Sequence, residues 1–291
     1  MARRVIITGD DFGLSLGVNE AIEQAHRNGI LAAASLMVAE PAADDAVARA
    51  RALPRLRVGL HLVVVRGRPV LPPEQIPDLV DKAGRLKTNL AGAAFNIFFK
   101  PAARRQLEGE IRAQFERFRA SGLTLDHVDG HCHLHLHPII LGMILKIGPE
   151  YGMRAIRLPY EPFAPSWRAM HADFTTRFGH GILLLPWVAF MRRRFKSAGI
   201  AHNDFLFGIN DTGHLTADRV LALLPCLPEG TSEIHFHPAA ASTLQESGDE
   251  NPDRIGFEAQ GELAALTDER LKTALDAAGV KRIGFADLVQ A

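Results

Sequence analysis

The sequence predicts an α/β fold in a single domain over 1–291: a distorted (β/α) barrel of parallel strands with helical crossovers, its active site at the C-terminal strand ends. Three observations carry that prediction. Short apolar runs alternate with amphipathic helical stretches along the chain, the pattern of parallel strands joined by helices. Roughly seven or eight such units fit within the chain length, with no evident linker or internal repeat. Acids and imidazoles fall where several of the runs end, which is where barrels of this kind place their chemistry.

Residues 5–8 form an apolar run ending in Gly9-Asp10-Asp11-Phe12-Gly13, so a buried strand delivers two acids at its end. A helix is expected over 19–28, closed by Gly29. Residues 31–38 form a second strand ended by Pro41, 42–53 a helix, and 58–65 a third strand carrying His61. Residues 66–100 mix Pro, Gly and polar residues and read as a long excursion over the active face. Residues 102–121 form an amphipathic helix with Leu107, Ile111, Phe115 and Phe118 on its apolar side, closed by Gly122. A histidine-rich strand follows, then a helix over 138–152 and a strand over 155–158. Residues 160–200 read as a second, irregular and apolar excursion. A strand within 200–209, a helix over 216–224, a strand over 231–237, a helix over 268–278 and a strand over 283–285 complete the pattern.

Composition narrows the function. The chain has 291 residues, 47% hydrophobic and 23% charged, an ordinary globular balance. Lys+Arg and Asp+Glu are 33 each, so the basic footprint of a nucleic-acid binder is missing. Two cysteines, Cys132 and Cys226, allow no disulfide framework and no four-cysteine zinc site. The apolar run at the N-terminus is too short for a signal peptide, which points to the cytoplasm. Neither a phosphate loop, nor a dinucleotide glycine fingerprint, nor Gly-x-Ser-x-Gly is present.

Residues 126–138 are the most informative segment. His127, Asp129, His131, His133, His135 and His137 take odd positions; Val128, Gly130, Cys132, Leu134 and Leu136 take even ones. Strict alternation predicts an extended strand with one apolar and one imidazole-bearing face. At ~3.3 Å per residue, His127 and His137 would lie ~33 Å apart, so one or two of the row at most can share a metal. The remaining ligands must come from elsewhere in the chain. Glu233, His235 and His237 repeat the alternation and offer a general acid. Adjacent Asp10 and Asp11 can divide metal binding and base catalysis between them, and Arg157 can anchor a polar group. Each has a plainer reading: a solvated turn for the acids, a core residue for His61, an edge strand for 233–237, a surface ion pair for Arg157.

Taken together, Gly-Asp-Asp-Phe-Gly at 9–13, Gly-Leu-His-Leu at 59–62, the 127–135 row and Glu-Ile-His-Phe-His-Pro at 233–238 resemble the YdjC (ChbG-like) carbohydrate deacetylases. That resemblance implies removal of an N-acetyl group from an amino sugar with one divalent metal, with water as nucleophile. It implies Asp11, His61 and His131 as metal ligands, Asp10 as general base and His237 as general acid. Asp129, His133, Arg157, Glu233 and His235 would bind substrate or support the site. The family often has Ser and His where this chain has Gly130 and Cys132, positions that flank a ligand. Two imidazoles favour Zn²⁺ over Mg²⁺, with Mg²⁺ the second option. The same ligand set would also suit a non-haem Fe(II) oxygenase, and a non-catalytic sugar- or lipid-binding protein is the third class.

Residues 181–196 join about eleven apolar residues to a basic cluster, too short to span a bilayer. They suit an interfacial element or a lid over a greasy substrate; a buried helix is the plain alternative. Asn96–Lys100 is a smaller version of the same pattern. The chain is similar to the hopanoid-associated HpnK members of the family, which implies an N-acetylglucosaminyl lipid substrate and peripheral contact with the inner face of the membrane. A soluble chitooligosaccharide is the alternative substrate. The sequence leaves the oligomeric state open, a dimer included.

Overall fold

Strand β1 (Arg3–Phe12) lies at the centre of a curled parallel sheet, its Val5, Ile6, Ile7 and Phe12 fully buried. A strand covered on both faces reads as one continuous apolar run. The computed structural model describes residues 3–241 and 254–289. After β1 the chain alternates: α1 (Leu16–Asn28), β2 (Ala33–Leu36), α2 (Ala43–Arg51) and β3 (Arg57–Leu62), then α3 (Leu90–Phe99), α4 (Pro101–Ala120), β4 (Leu125–Gly130) and α5 (Pro138–Ile147). β5 (Ala155–Ile156), α6 (Phe163–Met170), α7 (Phe174–Phe178), α8 (Leu185–Ala198), β6 (Ala201–His202) and β7 (Phe205–Phe207) follow. α9 (Ala217–Leu223), β8 (Gly230–Phe236), α10 (Ala259–Leu266), α11 (Glu269–Ala277), β9 (Lys281–Arg282) and α12 (Ala286–Val289) end the series.

The strands are ordered β6-β5-β4-β3-β2-β1-β8-β7, and β9 pairs beside β1 at Arg4 and Val5. The path is parallel throughout, so eight strands curl into a half-barrel with helical crossovers. Among the described residues no pairing joins β6 to β7, and there the predicted barrel is distorted. The helices α1 and α9 are capped by side chains: Ser15 accepts from the Val18 N–H and Thr216 from the Arg219 N–H. The apolar stripe of α4, Leu107, Ile111, Phe115 and Phe118, is buried, each side chain contributing about 1.5–3 kcal/mol.

The structure corrects two expectations and adds a helix to a third segment. The histidine row is not one extended strand over 126–138. β4 stops at Gly130, and the chain coils through a tight turn, His131–Leu136, in which Cys132 and His133 are left-handed (φ 52 and 53). The alternation is a strand pattern only as far as the sheet pairs it. Residues 160–200 are not irregular: α6, α7, a single π turn (Gly179–Leu183) and α8 fill them. Within 182–191 every residue is apolar, so no helical period shows there. Residues 66–100 contain α3, capped by Asn89 accepting from the Gly92 N–H.

Candidate active site

On a regular strand, adjacent Asp10 and Asp11 would face opposite ways. β1 avoids this with a bulge: Gly9 pairs with Ala34 and Phe12 with Leu36, three steps against two. Asp11 takes a left-handed conformation (φ 64), which costs a non-glycine residue about 1–2 kcal/mol. Gly13 follows at φ 97, where a Cβ would meet the Met37 carbonyl at 2.9 Å, and its N–H donates to Asn19. The strained turn brings both carboxylates into one cavity of about 280 Å³. His61, His131, His133, His235 and His237 line the same cavity.

Asp11, His61 and His131 form a buried group whose candidate ligand atoms all lie within 4.8 Å of one another. His61 Nε2 is 3.6 Å and His131 Nδ1 3.4 Å from Asp11 Oδ1. Ligand atoms held ~2.1 Å from a tetrahedral ion are about 3.4 Å apart, so the spacing fits a metal. Asp11 Oδ1 is buried with no hydrogen-bond partner among the described residues, as an atom awaiting a ligand would be. Burial would raise the Asp11 pKa, but His131, His237 and Arg254 hold it far below the usual carboxylate range. The group could therefore hold a metal ion with its carboxylate already ionised.

Behind the group, Asp129 Oδ1 accepts from His61 Nδ1 at 2.8 Å, which turns His61 Nε2 toward Asp11. Arg157 is fully buried and binds three acids. Its fork holds both oxygens of Asp10 (2.7 and 2.8 Å), Asp129 Oδ2 (2.6 Å) and Glu233 Oε1 (2.6 Å). Burial works against the charges, yet Arg157 pulls Asp10 and Asp129 well below the carboxylate range and is itself held well above the usual arginine value. Among the described residues, the four carboxylates Asp10, Asp11, Asp129 and Glu233 face two guanidiniums, Arg157 and Arg254, a surplus of negative charge that one divalent ion would neutralise.

His235 Nδ1 lies 3.3 Å from Asp10 Oδ2, and its ring is 5.3 Å from that of His237. Burial pushes His237 down to about 3, so it is a neutral imidazole at pH 7. His133 is likewise held well below its usual value by burial and by His235 and Arg157. The histidine row thus divides. His131 meets Asp11, His133 faces His235, and His135 Nε2 lies 3.2 Å from the Arg157 carbonyl. His127, on β4, is buried against Gly59 of β3 and reaches Ser35 of β2, and His137 sits beside Phe98.

All ten residues singled out from the sequence lie in or directly behind the cavity. Arg254, Thr212 and Phe257 also line it and went unnoticed. None belongs to the histidine row or to an apolar run; Arg254 Nη1 is buried without a hydrogen-bond partner among the described residues, 3.8 Å from Asp11 Oδ2.

The profile of the YdjC-like protein family matches residues 4–277. The chain belongs to the YdjC-like family. This YdjC-like chain is 32% identical over 289 residues to a carbohydrate deacetylase of Geobacillus stearothermophilus, covering 99% of this chain and 98% of that one. It is 31% identical to a carbohydrate deacetylase of Vibrio vulnificus over 98% and 96% of the two chains. A carbohydrate deacetylase of Brevibacillus brevis is 41% identical over 157 residues, 54% of this chain and 60% of that protein. A solved structure from Enterococcus faecalis V583, described as a candidate cellobiose-phosphate cleavage protein, shares the fold at a TM-score of 0.76 and 24% identity, with 99% of both chains covered.

Proposed function

We propose that this chain is a metal-dependent N-deacetylase that removes acetyl from an N-acetylglucosamine-type sugar. The observation that carries this reading is the buried Asp11–His61–His131 group beside the Arg157-bound Asp10 in one cavity. Relatives matched along nearly their whole length are named carbohydrate deacetylases, which supports it. Two imidazoles and one carboxylate suit Zn²⁺ better than Mg²⁺. A divalent ion there supplies Lewis acidity toward the amide carbonyl and toward water.

The chain's own residues do the rest. Asp10, kept ionised by Arg157, takes the proton of the attacking water at Oδ2. His237 hands a proton to the departing sugar nitrogen, giving acetate and a free amine. Because His237 is neutral at rest, it needs a supply; Asp10, His235 and His237 offer polar atoms all within 4.8 Å of one another, a short route for returning the proton taken at Asp10. Asp129 and Glu233 position His61 and Arg157, and His133 contacts the substrate.

A lipid-linked sugar, of the hopanoid glycolipid kind, is the substrate best suited to the rim. α3 lies by the histidine turn, its Phe98 ring 6.3 Å from that of His137, and α8 closes the helical segment that follows β5. Phe95, Phe99 and Leu183 are 62%, 60% and 74% exposed. Residues 174–203 contain no Asp or Glu while Arg193, Arg194 and Lys196 are exposed, a composition suited to an anionic lipid surface. No helix among the described residues is long and apolar enough to cross a membrane. The site would then work at the inner, cytoplasmic face as a peripheral enzyme. Acetate release from an N-acetylglucosaminyl lipid in anionic vesicles, compared with chitobiose, tests this. Release from the lipid supports the whole reading; release from chitobiose alone keeps the deacetylase and moves the substrate to soluble chitooligosaccharides. Release from neither overturns the deacetylase reading.

A further inference from the structure

Beneath the Asp11–His61–His131 group runs a hydrogen-bonded chain whose members beyond Asp129 the proposed chemistry does not use. Asp129 accepts from His61 through Oδ1 and from the Ser35 hydroxyl through Oδ2, at 2.8 and 3.0 Å. His127 Nε2 lies 3.1 Å from the same Ser35 oxygen, and His127 Nδ1 lies 3.0 Å from Asp126 Oδ2. Asp126 also accepts from the backbone N–H groups of Phe285 and Ala286, at 3.2 and 2.9 Å. Ser35, His127 and Asp129 are fully buried.

Counting protons fixes the direction of every bond. A carboxylate only accepts, so Ser35 gives its one proton to Asp129. His127 Nε2 must then donate to the Ser35 oxygen. Nδ1 must donate to Asp126, which His127 itself and two backbone N–H groups keep ionised against burial. A ring that donates from both nitrogens is an imidazolium. Burial opposes that charge, but Asp126 and Asp129 outweigh it and raise the His127 pKa. The strands make room for the ring: a Cβ on Gly59 would lie 2.4 Å from His127 Cε1. β4 has one extra residue between Leu125 and Val128 relative to β3, and His127 stacks on Phe285 with centroids 4.3 Å apart.

We propose that Ser35 and His127 are positioning residues for the metal site: a buried hydroxyl–imidazolium pair that locks the Asp129 carboxylate, so that Asp129 holds His61 with Nε2 toward Asp11. The proposal rests on Asp11, His61 and His131 being the metal ligands. Outer partners of this kind set metal affinity by orienting a ligand and tuning its basicity.

The test uses metal-stripped full-length protein titrated with Zn²⁺ against a chromophoric chelator, and with Co²⁺ for its visible spectrum. Ser35→Ala should weaken Zn²⁺ binding ~10-fold and alter the Co²⁺ spectrum. His127→Leu should weaken binding similarly, and His127→Gln should recover part of the loss, because its amide can still donate to Ser35. Should His127→Leu fail to fold, Ser35→Ala decides. Wild-type affinity and spectrum in Ser35→Ala, whatever its melting temperature, would overturn the proposal alone. A wild type that binds no Zn²⁺ would overturn the metal-site reading and this proposal with it.

Discussion

Arg157→Met separates a guanidinium that organises the site from one that merely fills space. Arg157 is fully buried and is the cation shared by Asp10, Asp129 and Glu233, at 2.6–2.8 Å. Removing one partner of a buried ion pair costs about 3–5 kcal/mol, because the other charge stays buried and uncompensated. A domain of ordinary stability, ~5–15 kcal/mol, survives that loss in most of the range. The pH dependence carries the sharper signature. The folded pKa values of Asp10 and Asp129 are depressed. Their stabilisation is therefore present above the unfolded value of ~3.9 and lost as pH falls through the folded values. Without Arg157, burial dominates and the carboxylates take up protons nearer neutrality. The gap between wild type and variant should be ~3–5 kcal/mol at pH 7 and should narrow toward pH 4.5. Urea unfolding of chelated protein, followed by circular dichroism at both pH values, reads it directly. A gap below ~1 kcal/mol at pH 7, or one that stays constant with pH, would refute the charge argument.

Three further outcomes are expected. Asp10→Asn should leave metal stoichiometry unchanged and lower kcat about 10²–10⁴-fold; a near-wild-type rate would remove Asp10 from the base role. His135 and His237 are pushed by burial to about 4 and about 3, below an unfolded value of ~6.5. The unfolded chain binds more protons in that window, so metal-free protein should lose stability as pH falls from ~6.5 toward 4. A urea midpoint flat between pH 7 and pH 5 would contradict it. Leu183→Ser with Phe99→Ser should reduce turnover on lipid-linked substrate in vesicles while sparing chitobiose. Equal losses on both would mean that the exposed rim plays no part in lipid capture.

The sequence shows the site more readily than the path of the chain between its parts. Acids and imidazoles at the ends of β1, β3, β4 and β8 are visible as polar residues interrupting apolar runs, and parallel pairing brings those ends together. The turn after Gly130 was hidden, because alternation reports a possible face, whereas termination depends on whether a neighbouring strand pairs. Leu62–Gly130 is the last paired step of β3 on β4, and the next residues coil. The β1 bulge was equally silent: nothing in Asp10-Asp11 announces a left-handed Asp11. Ser35 lies in a plain apolar strand, and its contact with Asp129 is a long-range product of packing. Arg254 reaches the cavity from a stretch with no pattern at all.

The central claim is that this site hydrolyses an amide with the help of one divalent ion. The most direct test strips the protein of metal, restores Zn²⁺, and follows acetate from N-acetylglucosamine-type substrate in oxygen-18 water without dioxygen. The account predicts no acetate from stripped protein and, after restoration, acetate carrying one labelled oxygen at a rate unaffected by removing dioxygen. Release that persists without metal, or that appears only when iron and dioxygen are supplied, would contradict it.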